Sequence, residues 1–155
     1  MNYWLMKSEP EVFSYADLEK APQQTTFWDN IRNYQARNFL RDEIKVGDLV
    51  FFYHSNAQPS AIVGIAKVVQ QASVDPSQFD KKSDYYDPKA TQEKPIWYGV
   101  HIQAQKALQR PVSLEEIKKH LLLKNMMLVQ RGRLSVSPVS VKEWETIVQL
   151  AGRSP

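Results

Sequence analysis

The 155 residues carry a net charge of +3, no cysteine, and enough apolar (43%) and aromatic (11%) side chains for a packed core rather than a disordered chain. The missing thiols exclude disulfides, a cysteine nucleophile and thiolate zinc sites, while the mild charge permits a nucleic-acid partner without requiring one. The opening MNYWLMKSEP lacks the pattern of a secretion signal, and no apolar run approaches the roughly 20 residues of a membrane helix, so a soluble, intracellular single domain over 1–155 is expected.

Residues 2–6 read as a strand, with Trp4 and Met6 on one face and Tyr3 and Leu5 on the other. Pro10 cannot donate to a ladder, which leaves Lys7, Ser8 and Glu9 at the strand's rim. Ser14 with Asp17 predicts a capped helix to about Lys20, followed by a loop over 21–28. A second helix is expected from about Tyr34 to Glu43, capped by Asn33, with Ala36, Phe39, Leu40 and Ile44 as its buried stripe and Asn33, Arg37 and Arg41 on another face. KVGD marks a turn into the strand LVFFYHS. PSAIVGIAKVVQQ (59–71) is a second long strand with a bend or bulge at Gly64. Residues 73–95 read mostly as loop, and 95–105 as a third long strand with one apolar face. Ser113 with Glu116 and Ser140 with Glu143 open two helices as capping boxes. The last buries Val141, Trp144, Ile147, Val148 and Ala151 and stops at Gly152. A strand over 133–137 enters through a turn at Gly132. The sum is an α+β fold, a strongly bent mixed β-barrel surrounded by several helices.

Little in this pattern points to catalysis. His54 and Ser55 are neighbours on a strand and face opposite ways, so they do not make a nucleophile–base pair. Asp75, Asp80, Asp84 and Asp87 lack the spacing of a calcium loop and read as capping and turn residues. No phosphate loop or dinucleotide fingerprint is present. Binding is better supplied. FWDNIRNYQARNFLRDE (27–43) interleaves guanidinium groups, carboxamides and rings. Arg favours planar two-pronged recognition, carboxamides match a base edge, and indole and phenol rings offer stacking faces. Arg131 and Arg133 form a second basic pair around Gly132. Trp97 and Trp144 are explained by a core, whereas Trp28, in a predicted loop, is less easily explained by packing alone.

The segments WLMKSEP, WDNIRNYQARNFL, GDLVFFYHS, IVGIAKVV, YYDPKA, PIWYGVHI and RGRLSVSPVS, in that order, resemble the EVE domain, a family with the PUA-like fold. The resemblance runs from Tyr3 to about Ile147. Asn30 and Ile31 depart from the Gly-Val that the family often has there. The resemblance implies a non-catalytic binder that flips a modified base, 5-modified cytosine in DNA first, into an aromatic-lined pocket. An RNA-binding domain recognising tRNA, rRNA or a modified ribonucleoside is the alternative. It carries over Ser8, Glu9, Trp28, Asn33, Tyr53, His54, Ser55, Leu134 and Ser135 as pocket residues, and Arg32, Arg37, Asn38, Arg131 and Arg133 as backbone contacts. Trp28 and Tyr53 are expected to bound the base face, with Ser8, Asn33 and Ser55 at its edge. No cofactor or metal is implied. A cytoplasmic, bacterial setting is expected, with any effector a separate protein.

Overall fold

In the computed structural model, which describes residues 1–152, β1 (Tyr3–Ser8) is followed by α1 (Tyr15–Lys20), β2 (Thr25–Trp28) and α2 (Tyr34–Asn38). Next come β3 (Leu49–His54), β4 (Ala61–Val74), β5 (Tyr98–Ser113) and α3 (Leu114–Lys119). The chain then forms α4 (Met127–Gln130), β6 (Val136–Val139) and α5 (Val141–Ala151). The strands make one sheet in the order β2-β5-β4-β3-β1-β6, with β1 and β3 parallel and the other pairs antiparallel. The α+β class holds, but the sheet does not close into the expected barrel: β2 and β6, four residues each, stay as separate edges. Curvature comes instead from register breaks at Phe52/Tyr53 and along the β4–β5 pair.

Both faces of the sheet are covered, and this explains the unbroken apolar run of β3. Val50 and Phe52 join Trp4, Met6, Val100, Ile102 and Val136 on one face. Phe51 and Tyr53 join Leu5, Ile62, Ile117, Trp144 and Ile147 on the other. The alternation expected in β1 is therefore observed. Asp48, buried after the turn at Gly47 (φ 96°), ties the start of β1 to this frame by accepting from Trp4 Nε1 (2.9 Å) and the amides of Asn2 and Lys45. Gly64 is required by a close approach: a Cβ there would collide with the ring of Tyr15. The Tyr15 hydroxyl donates to the Ile65 carbonyl (2.7 Å), pinning α1 onto β4.

The helix starts follow their caps. Ser14–Asp17 and Ser140–Glu143 form full reciprocal capping boxes. Ser113 caps α3, but the Glu116 carboxylate turns to Arg110, which it holds at 2.9 Å, so the second half of that box is missing. The expected helix over 34–43 changes character at Phe39. Its second half is a π turn, Phe39–Glu43, closed by the Ile44 amide on the Phe39 carbonyl, and Phe39 packs against Trp4. Residues 21–28 are not all loop: a 3-10 turn, Pro22–Gln24, delivers the chain to β2. The last strand starts at Val136 rather than 133, because 131–134 turn back on themselves. Val141 is exposed at the head of α5, and Leu150, near the other end of the helix, is buried. Among the described residues, no helix is long and apolar enough to cross a membrane.

Candidate nucleic-acid interface

Parallel pairing of β1 and β3 sends both chains out of the sheet at one end, where the Ser55 amide donates to the Ser8 carbonyl (3.0 Å). A cleft of about 650 Å³ opens there. Its walls come from five places in the sequence. The end of β1 gives Lys7, Ser8 and Glu9, with Val12 and Phe13 beyond it. β2 and the loop after it give Thr26 to Arg32. Ser55 follows β3, and Tyr85 comes from the long β4–β5 connection. The turn before β6 closes the ring with Gly132 and Ser135. Such a volume is in the range of small-ligand sites.

Trp28 is the aromatic floor of this cleft. Only 7% of it is exposed, and its ring meets Phe52 edge-on (5.4 Å, 84°). The opposing Gly99 permits this arrangement, since a Cβ there would strike the Trp28 carbonyl. Partly covered Phe13 and exposed Tyr85 add further rings at the wall and mouth.

The loop after Trp28 is held by a buried polar network. Asp75 Oδ2 accepts from the Asn30 amide (2.8 Å) and from Arg32 Nη1 (3.2 Å). Asp75 Oδ1 accepts from the Ser77 amide (2.8 Å), and the Ser77 hydroxyl lies 2.7 Å from it and 2.9 Å from Asn30 Oδ1. Burial pushes the Asp75 carboxyl up, but the hydrogen bonds from Ser77, Asn30 and Arg32 outweigh it and leave its pKa below the ordinary value. Arg32 Nε and Nη2 reach the Tyr85 carbonyl (3.0 and 2.8 Å), and its guanidinium lies over the Tyr85 and Trp97 rings. Asn30 occupies the left-handed region (φ 65°), which Asn tolerates better than most residues.

This geometry sorts the expected residues. Ser8, Glu9, Trp28, Ser55 and Ser135 line the cleft together. Tyr53 does not: the strand alternation that puts Phe52 behind Trp28 sends Tyr53 through the sheet into the opposite core. His54 is drawn back to α1, where its Nε2 accepts from the Tyr15 amide (3.1 Å), and burial lowers its pKa. Asn33 caps α2 by accepting from the Ala36 amide (2.9 Å), and Leu134 is buried in the core. Both border a second, smaller hollow of about 270 Å³ with Gln35, Arg131, Gly132 and Arg133.

Arg32 lines the cleft as expected, but its donors are engaged by Tyr85, Ile31, Asp75 and Ser77, so it braces the wall rather than waiting for a phosphate. Arg37 is similarly held by Asn38 Oδ1 and the Ile96 carbonyl (both 2.8 Å) and lies over the Tyr34 ring. Arg131 and Arg133 are exposed beside the cleft, on the turn that Lys7 Nζ fixes through the Gly132 carbonyl (2.6 Å). Phe13, Asp29 and Tyr85 are among the cleft residues that were not foreseen. The adjacency of Asp29 to Trp28 and the YYDPKA segment were the available signals. The loop carboxylates do serve as caps and turns: Asp75 for Ser77, Asp80 for Lys82, Asp87 for Lys89. Among the described residues, no cluster of three or more His, Asp or Glu is placed to hold a metal ion.

The family model of the EVE domain matches residues 2–150. Thymocyte nuclear protein 1 from Danio rerio is 44% identical over 169 residues, spanning 98% of this chain and 73% of the relative. The Homo sapiens protein of the same name is 40% identical over 171 residues, spanning 99% and 76%. The crystal structure of the human THYN1 protein in complex with 5-methylcytosine-containing DNA matches with a TM-score of 0.96 at 41% identity, covering 100% of both chains. A hypothetical protein from Leishmania major matches with a TM-score of 0.91 at 44% identity, covering 97% of this chain and 94% of that one. The order of segments along the chain, the six-stranded sheet and these matches agree: the chain belongs to the EVE domain family.

Proposed function

We propose that this chain is a non-catalytic DNA-binding domain that reads 5-modified cytosine by accepting the flipped base into the Trp28 cleft. The observation that carries this reading is the full-length likeness, TM-score 0.96, to a protein solved with 5-methylcytosine-containing DNA. A preformed hollow with an aromatic floor at one end of the sheet supports it.

The energetics set the division of labour. Extruding a base costs a few kcal/mol, and stacking on an aromatic ring contributes ~1–3 kcal/mol in return. The remainder must come from contacts to the strand, for which the exposed Arg131 and Arg133 are the best placed guanidinium groups beside the cleft. Burying one methyl group contributes roughly 0.8 kcal/mol, less than tenfold in affinity. Larger selectivity against plain cytosine requires that the bare base fit poorly.

Oligonucleotides differing only at C5 of one cytosine, titrated at fixed salt, test this reading. The modified duplex is expected to bind several-fold tighter. Ser55→Trp, which fills the cleft from its polar side, is expected to abolish that difference while leaving weak, salt-sensitive binding to any duplex. Equal affinity for both duplexes, or preferential capture of RNA in competition, contradicts it.

A further inference from the structure

A pocket that senses only a 5-methyl group has a specificity problem. Thymine carries the same methyl at the same ring position and is present throughout DNA. The two bases differ at C4, an amino donor in 5-methylcytosine and a carbonyl acceptor in thymine, and at N3, an acceptor in one and a donor in the other. Apolar walls do not separate them. A hydrogen-bond acceptor that cannot donate does, because it welcomes the amino group and repels the carbonyl.

Four charged side chains line the cleft, and three are already occupied. Lys7 is engaged by the Gly132 carbonyl, and Arg32 by the network around Asp75 and Tyr85. Glu9 accepts from Asn56 Nδ2 (2.8 Å). The carboxylate of Asp29 receives no hydrogen bond from any other described residue. It sits between the aromatic floor and the clamp: Trp28 precedes it, and the Asn30 amide after it is anchored to Asp75.

We propose that Asp29 is the residue that distinguishes 5-methylcytosine from thymine, its carboxylate accepting the 4-amino group of the flipped base. This rests on the reading of the cleft as a base pocket. The environment supports it. Asp29 is exposed where it lines the cleft, so an incoming base can reach it. Partial desolvation by the surrounding walls, followed by the negative charge of Asp75, holds its pKa above the usual carboxylate value. A carboxylate so short of donors gains more from an incoming N–H than one fully in water.

The test uses the full chain and three duplexes identical except for 5-methylcytosine, cytosine or thymine at one position, with the partner base mismatched identically to equalise the cost of flipping. The native chain is expected to bind 5-methylcytosine about tenfold or more over thymine, the discrimination typical of a good base-edge contact. Asp29→Asn, whose carboxamide also donates, is expected to bring that ratio close to one while keeping the preference for 5-methylcytosine over cytosine. Asp29→Ser, smaller and uncharged, is expected to do the same through weaker binding of both cytosines. Both variants are expected to melt no lower than the native chain, because the displaced pKa marks the charge as unfavourable to the fold. A 5-methylcytosine-to-thymine ratio unchanged within about twofold in both variants overturns the assignment of Asp29 but leaves the base pocket standing. A native chain that does not separate 5-methylcytosine from cytosine overturns the pocket and this assignment together.

Discussion

The two faces of the sheet hold similar aromatic side chains and use them differently. On the face covered by α5, Trp144 stacks on Phe51 (3.7 Å, 15°) and on Tyr3 (4.5 Å, 23°). On the face carrying α1 and α2, Phe52 meets Trp28 and Tyr15 edge-on at 84° and 79°, and approaches Phe13 only at 6.5 Å. Edge contacts bury these rings as well, and Trp28 is 7% exposed, as Trp144 is. One face of the sheet is a finished core, and the other ends in a cleft whose wall is braced by a polar clamp rather than by packing. Trp28 is a binding candidate because it lines that cleft, a property that residue type alone does not reveal.

Four measurements probe this division between the faces. Trp144→Ala removes the ring at the centre of the stacked face and is expected to cost about 3–5 kcal/mol in urea unfolding; a loss below about 1 kcal/mol would mean that face is not the structural one. Asp75→Ala leaves Arg32 without its buried counter-charge and is expected to cost about 3 kcal/mol. Its larger consequence is expected in binding: with the 29–32 loop released, affinity falls for modified and plain DNA alike. Arg131→Ala with Arg133→Ala should leave stability within about 0.5 kcal/mol. In the same double variant, the slope of log affinity against log salt should drop by about 0.9 for each phosphate no longer neutralised. An unchanged slope would move the strand contacts elsewhere. The smallest effect concerns His54, whose neutral ring accepts from the Tyr15 amide and whose pKa is depressed below 6.5 by burial. The depressed sign means its contribution is present above pH 6.5 and lost as pH falls through the lower folded value, a loss of about 1 kcal/mol for one hydrogen bond. Melting curves between pH 7.5 and 5 should show this decline, and His54→Gln should flatten it.

The legible parts of the fold were those governed by local chemistry. Alternation in β1, the caps at Ser14, Asn33, Ser113 and Ser140, and the irregularity at Gly64 all follow from residue type and spacing. β2 was missed because Thr25–Trp28 is four residues long and preceded by two glutamines in left-handed conformations, so no alternation accumulates. β5 runs on to Ser113 because its polar stretch from Gln105 to Arg110 stays paired or beside β4, despite carrying no apolar pattern. The fate of Glu116 depended on Arg110, six residues away and invisible to a capping rule.

In the site, Ser8, Glu9, Trp28, Ser55 and Ser135, carried over by the family resemblance, do line one cleft. Tyr53 and His54 were misplaced even though period-two alternation already separated Phe52 from Tyr53. Arg32 illustrates a different limit. Its position at the cleft follows from sequence, but its duty is set by Asp75, Ser77 and Tyr85, more than forty residues distant and brought close only by the β4–β5 connection.

Everything proposed for this site requires that a single unstacked base enter the Trp28 cleft. The decisive probe is 2-aminopurine placed next to one 5-methylcytosine in a duplex, its fluorescence followed on binding of the native chain and of Ser55→Trp. Base entry predicts a rise with the native chain that is absent with the cleft-filled variant at saturating protein. Unchanged fluorescence on saturation by the native chain, or an equal rise with both proteins, rules base entry out.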